Sequence, residues 1–76
     1  MKEFVTFLAR RLVDKPDEVD VQVREEDTTI IVELRVARED LGKVIGKQGR
    51  TARAMREVMS ARASREQKSS RLEILE

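Results

Sequence analysis

Gly46-Lys47-Gln48-Gly49 constrains this chain more than any other four residues. The tetrapeptide follows a short apolar stretch (Leu41, Val44, Ile45) and opens a long helical pattern. Two glycines separated by two polar residues, at the joint between two helices, make a tight turn whose backbone can touch a ligand. Glycine has no Cβ, so it adopts dihedrals that other residues avoid and lets another backbone come close. Amides at the start of the second helix favour an anion. Lys43, Lys47, Arg50 and Arg53 line the joint. A flexible, amide-lined, positively charged loop suits a phosphodiester backbone.

Apolar periodicity sets the elements on either side. Phe4, Val5, Leu8, Ala9 and Leu12 have the spacing of an amphipathic helix. Pro16 ends it, because the residue before a proline avoids helical dihedrals. Val19, Val21 and Val23 alternate with Asp20, Gln22 and Arg24, the period of a strand with one buried face. Glu25-Glu26-Asp27 is expected to turn a hairpin. In the next strand Ile30, Val32, Leu34 and Val36 share one face, and Ile31, Glu33 and Arg35 share the other. Glu39 and Asp40 open a short helix over residues 38–45, where acids complement the helix dipole. A longer helix is expected from Arg50 to Glu66, and Leu72, Ile74 and Leu75 form a closing strand.

The fold class this predicts is α+β in the order α-β-β-α-α-β. It has a three-stranded mixed sheet with its helices packed on one face. Two helices join the second and third strands, and such a crossover returns parallel and right-handed. No repeat, linker or second domain is visible, so residues 1–76 are expected to form one domain.

On the long helix, Ala52, Ala54, Met55, Val58, Met59, Ala61 and Ala63 cover an arc of roughly 200° at about 100° per residue. A core-facing stripe needs only about half of that. Met55, Val58 and Met59 are therefore expected to pack on the sheet, and the edge bearing Ala54 and Ala61 to admit a partner helix. Alanine is also simply the best helix former, which is the plainer reason for its abundance. A domain of this size gains from association, since its core supplies only about 3–5 kcal/mol.

Sixteen basic and fifteen acidic residues nearly cancel, so distribution and not net charge carries the information. Residues 42–56 hold five cations (Lys43, Lys47, Arg50, Arg53, Arg56) and no acid. Residues 14–27 hold seven acids against Lys15 and Arg24. Such a separation orients a polyanion toward one side of a neutral domain. The chain has no cysteine and no histidine, which removes disulfides, thiolate metal sites and the commonest acid–base group. Tyr and Trp are absent too, and no carboxylate pair sits in an apolar context suited to acid–base work. An enzyme is not expected, nor a metal or cofactor. No apolar run reaches membrane-spanning length and no signal-peptide profile opens the chain, so a cytoplasmic protein without membrane contact is expected.

Spacing rules out two phosphate-binding motifs. A Walker A loop needs G-x-x-x-x-G-K-[ST], but only three residues separate Gly42 from Gly46 and Gln48 stands where the magnesium-binding hydroxyl belongs. The dinucleotide pattern G-x-G-x-x-G fails for the same glycines. A helix-turn-helix would keep the basic second helix, but that motif is usually embedded in helices and not flanked by strands. A ligand-free turn is the remaining alternative, and the flanking helices, strands and basic cluster argue against it.

Val44-Ile45-Gly46-Lys47-Gln48-Gly49-Arg50, preceded by Asp40-Leu41-Gly42-Lys43 and followed by an Ala- and Arg-rich helix, resembles a KH domain with its GXXG loop. The minimal strand–helix–GXXG–helix–strand unit spans residues 28–75, and the extra helix and strand before it resemble the type II arrangement of bacterial KH proteins. The resemblance implies binding of about four nucleotides of single-stranded RNA, with the loop against the backbone. Gly46 and Gly49 would allow close approach, Lys47 and Gln48 would reach phosphate or ribose oxygens, and Lys43, Arg50 and Arg53 would supply charge along a groove. Bases would lie over some of Leu41, Val44, Ile45 and Val36. The resemblance further implies an RNA chaperone or post-transcriptional regulator with little sequence preference, which acts as a homodimer or with a larger KH protein of the Jag type. The alternatives are an assembly subunit that does not bind RNA by itself, or a DNA-binding module. Only Phe4 and Phe7 are aromatic, so binding should not rest on stacking of the kind used by RRM sheets or OB folds.

Overall fold

A computed structural model describes residues 1–75. The first helix, α1 (Lys2–Leu12), has Glu3 in its first turn and Arg10 and Arg11 in its last, each sign complementing the dipole. Pro16 starts a single 3₁₀ turn, Pro16–Glu18, where its fixed φ is tolerated. Strand β1 (Asp20–Glu26) then pairs antiparallel with β2 (Thr29–Arg35). Glu26 faces Thr29 across the ladder, so the hairpin turn is Asp27-Thr28 and not the expected Glu25–Asp27. Asp27 takes the left-handed conformation such a turn requires (φ 55°), which aspartate tolerates better than most residues.

After a 3₁₀ turn at Arg38–Asp40, the chain forms α2 (Leu41–Ile45), the glycine loop, and α3 (Arg50–Ser64). Strand β3 (Ser69–Leu75) returns parallel to β2, giving the order β1-β2-β3 with β2 central. The expected α+β fold and mixed three-stranded sheet are therefore present. Helix α3 stops two residues earlier than its composition suggests, because Gln67 turns left-handed (φ 59°) and the Lys68 amide bonds back to the Ala63 carbonyl.

The core lies between the sheet and the helices. Val21, Ile30, Val32, Leu34, Val36 and Leu72 meet Val5, Ala9, Val44, Met55, Met59 and Ala63 there. On α3 the buried stripe is Ala52, Met55, Met59 and Ala63. Val58, expected in the core, is 45% exposed because it sits one side of that stripe, facing α1. The opposite sheet face is polar and crossed by Arg24–Glu33, Arg24–Glu26 and Arg71–Glu73 ion pairs. Ile31 is nevertheless buried on it, since the register sets it between Arg24 and Arg71, whose aliphatic stems can cover it.

Met59 and Val58 thus differ sharply in environment. Met59→Ala is expected to destabilise the domain by about 2–5 kcal/mol in urea unfolding, and Val58→Ala by no more than about 0.5 kcal/mol. Equal losses would place the core face of α3 elsewhere.

Candidate nucleic-acid interface

The glycine loop is built from three left-handed residues in four. Gly46 has φ 79° and ψ 167°, a region that only glycine occupies readily, and it ends α2 with its amide bonded to the Gly42 carbonyl. Gln48 (φ 58°) and Gly49 (φ 73°) follow, and the Gly49 and Arg50 amides close on the Gly46 and Lys47 carbonyls. The Lys47 and Gln48 amides take no part in these bonds. Successive residues of this kind form an amide-lined concavity suited to an anion.

Helix α3 begins directly on this concavity. No side chain caps its N-terminus and no acid stands in its first turn. The positive end of the dipole is left without an internal counter-charge. Lys47, Gln48 and Arg50 are exposed around it, and the Gln48 Oε1 accepts a hydrogen bond from Arg50 at 3.1 Å. Arg53 follows one turn along α3, also exposed. Among the described residues, Lys47, Arg50 and Arg53 lie within ion-pair distance of no carboxylate.

Lys43 differs. Its ammonium pairs with Asp14 and lies 3.9 Å from Asp40, and the Asp14 carboxylate holds it above the ordinary lysine range. Asp40 is 1% exposed and accepts the amides of Asp14 at 3.2 Å and Lys15 at 3.0 Å, tying the α1–β1 connection to the start of α2. Beside it, Lys15 pairs with Glu39, which raises the lysine and lowers the carboxyl. Lys68 is likewise raised, chiefly by its hydrogen bond to Glu25.

Of the four apolar residues considered for base contact, Val36 and Val44 belong to the core and Leu41 packs against it. Ile45 alone is open, at 41% exposure immediately before the loop. A groove of about 330 Å³ that sequence reasoning missed runs beside α3, lined by three arginines (Arg53, Arg56, Arg71) and one acid, Glu57, with Ser60, Ser70 and Leu72. It lies against the edge of β3 that pairs with no strand. The basic spacing of Arg50, Arg53 and Arg56 was a visible signal, whereas the Ser70–Leu72 side needed the strand order.

The two glycines are required for different reasons. A Cβ at Gly46 would stand 2.2 Å from Thr51 Oγ1 and 2.7 Å from the Thr51 backbone nitrogen, whereas one at Gly49 would meet open space. Gly49→Ala is expected to cost about 1–2 kcal/mol from its left-handed φ alone, and Gly46→Ala distinctly more. Adding Thr51→Ala should not rescue Gly46→Ala, because the backbone nitrogen remains. Chemical denaturation of the three variants checks this, and equal losses for both glycines would contradict it.

Comparison with known proteins agrees with this geometry. The family model for the KH domain of KhpA/KhpB matches residues 2–74. The chain is 47% identical over 76 residues to the RNA-binding protein KhpA of Chlamydia trachomatis, covering all of this chain and 97% of that protein. It is 51% identical over 75 residues to RNA-binding protein KhpA of Clostridium perfringens (99% of this chain, 100% of that one). It is 49% identical over 75 residues to RNA-binding protein KhpA of Caldanaerobacter subterraneus, with the same coverage. No solved structure matches. KH domains are single-stranded nucleic-acid-binding modules and not enzymes. With an amide-lined turn between two helices on a three-stranded sheet, a family model matched over residues 2–74 and relatives about half identical over nearly their full length, the chain belongs to the KhpA/KhpB KH-domain family.

Proposed function

We propose that this chain is an RNA-binding protein that holds the sugar–phosphate backbone of a single strand against Gly46, Lys47, Gln48 and Gly49. The observation that carries this reading is the uncapped start of α3, reached through left-handed residues and ringed by cations without carboxylate partners. Gly46 and Gly49 admit the backbone, Lys47 and Gln48 reach its oxygens, and Arg50 and Arg53 extend the charge along α3. Lys43 sits at the rim with its charge shared between Asp14 and Asp40. Bases then lie toward Ile45 and into the groove between α3 and the free edge of β3, whose unpaired backbone groups can meet base edges. The binding unit is the segment from about residue 28 to 75 in a single domain, with α1 and β1 completing its core.

The names of the relatives support the RNA ligand. Few apolar contacts and no aromatic in the groove favour weak binding with little sequence preference, the profile of an RNA chaperone or post-transcriptional regulator in the cytoplasm. Self-association, or pairing with a larger KhpB/Jag-type KH protein, raises apparent affinity by placing two grooves on one RNA. An apolar strip between α1 and α3 (Leu8, Leu12, Ala54, Val58) supports such pairing, and Phe7 next to it is 55% exposed.

Lys47→Asp with Gln48→Asp is expected to abolish gel shift of single-stranded RNA while circular dichroism stays unchanged. With about three phosphate contacts, log K should fall with log salt at a slope of roughly −2. Retained binding by the folded double variant, or a salt-independent affinity, would refute the assigned site. A bulky residue at Ala61, exposed on α3, should shift sedimentation toward monomer; an unchanged profile would exclude that helix edge from self-association.

A further inference from the structure

Five cations lie in the loop and its flanking helices (Lys43, Lys47, Arg50, Arg53, Arg56), and among the described residues only Lys43 is paired with a carboxylate. Its first partner, Asp14, belongs to the connection between α1 and β1, far away in sequence. That connection is not a passing neighbour. Two successive amides, Asp14 and Lys15, donate to the two carboxylate oxygens of buried Asp40, one residue before α2 begins. Lys15 adds a second tie through Glu39. The backbone beneath Asp14 is therefore fixed, and its carboxylate is delivered to Lys43 one helical turn before Gly46.

A carboxylate and a phosphodiester oxygen compete for the same ammonium donors. We infer that Asp14 limits the affinity of the RNA site by holding Lys43 in the place of a backbone phosphate. The inference rests on the RNA reading above and names a residue that sets its strength. A phosphate that reaches Lys43 must displace Asp14 and then remain beside its negative charge. Because the pair is exposed, the exchange is open to the ligand and is screened by salt. Asp40 stays in place throughout, since its oxygens are engaged by backbone amides.

Asp14→Asn keeps the size of the side chain and removes its charge. Binding of a short single-stranded RNA by this variant should be about fivefold tighter than wild type at about 0.1 M salt, with a salt slope steeper by roughly 0.7, the increment of one added phosphate contact on a single strand. Adding Lys43→Gln should erase the gain. Asp17→Asn, which removes an equal charge from the same connection away from Lys43, should not reproduce it. Unchanged affinity in Asp14→Asn beside a wild type that binds would overturn the inference alone. An equal gain in Asp17→Asn would also overturn it, by making the effect one of general charge. If neither wild type nor Asp14→Asn binds, the RNA reading falls and this inference falls with it.

Discussion

The approach of Gly46 to Thr51 fixes how α2 gives way to α3. Any side chain at Gly46 would overlap the threonine hydroxyl, its Cβ and its backbone nitrogen. The missing Cβ lets the end of one helix lie against the first turn of the next, with only the four residues Gly46 to Gly49 between them. That proximity aims the α3 N-terminus at the loop, and the residue at its cap position, Gly49, has no side chain to cap it. The positive potential at this joint is thus a consequence of backbone packing, and the cations around it add to a field the main chain already supplies.

Charge pairing divides the molecule in the same sense. The sheet face and the hairpin side neutralise themselves through Arg24, Arg71 and Lys68 with their glutamates. The α3 face does not, and its only acid among Arg50–Ser64 is Glu57. A nearly neutral chain can therefore present one surface to a polyanion without high net charge, which keeps the ordered core free of strong self-repulsion. Lys43 stands on the boundary, one helical turn before the loop in sequence and paired with Asp14.

Periodicity was sufficient to read the α+β order, because Val21, Ile30, Val32, Leu34 and Met59 obey the periods of their elements, although Val23, on the same strand face as Val21, is open. The loop was legible for a different reason: two glycines at that spacing have few structural uses. Tertiary placement was not legible. Val58 and Met59 are adjacent and equally apolar, and only the position of α1 leaves one open and the other enclosed. Ile31 shares its strand face with Glu33 and Arg35, yet it is buried, because the register sets it between Arg24 and Arg71, whose stems can cover it. The Asp14–Lys43 pair joins residues far apart in sequence, and no local pattern announces it. The β3 side of the groove waited on strand order, which places Ser70–Leu72 at an edge.

The central claim is that main-chain amides of residues 46–51 meet the nucleic-acid backbone, and amide chemical-shift mapping reads those atoms directly. On titrating the isotope-labelled protein with a short single-stranded RNA, the largest shifts should fall on Gly46 to Arg53 and extend to Ser70–Leu72, with β1 unmoved. Shifts centred on the open sheet face around Arg24 and Glu33, with the glycine loop silent, would contradict it.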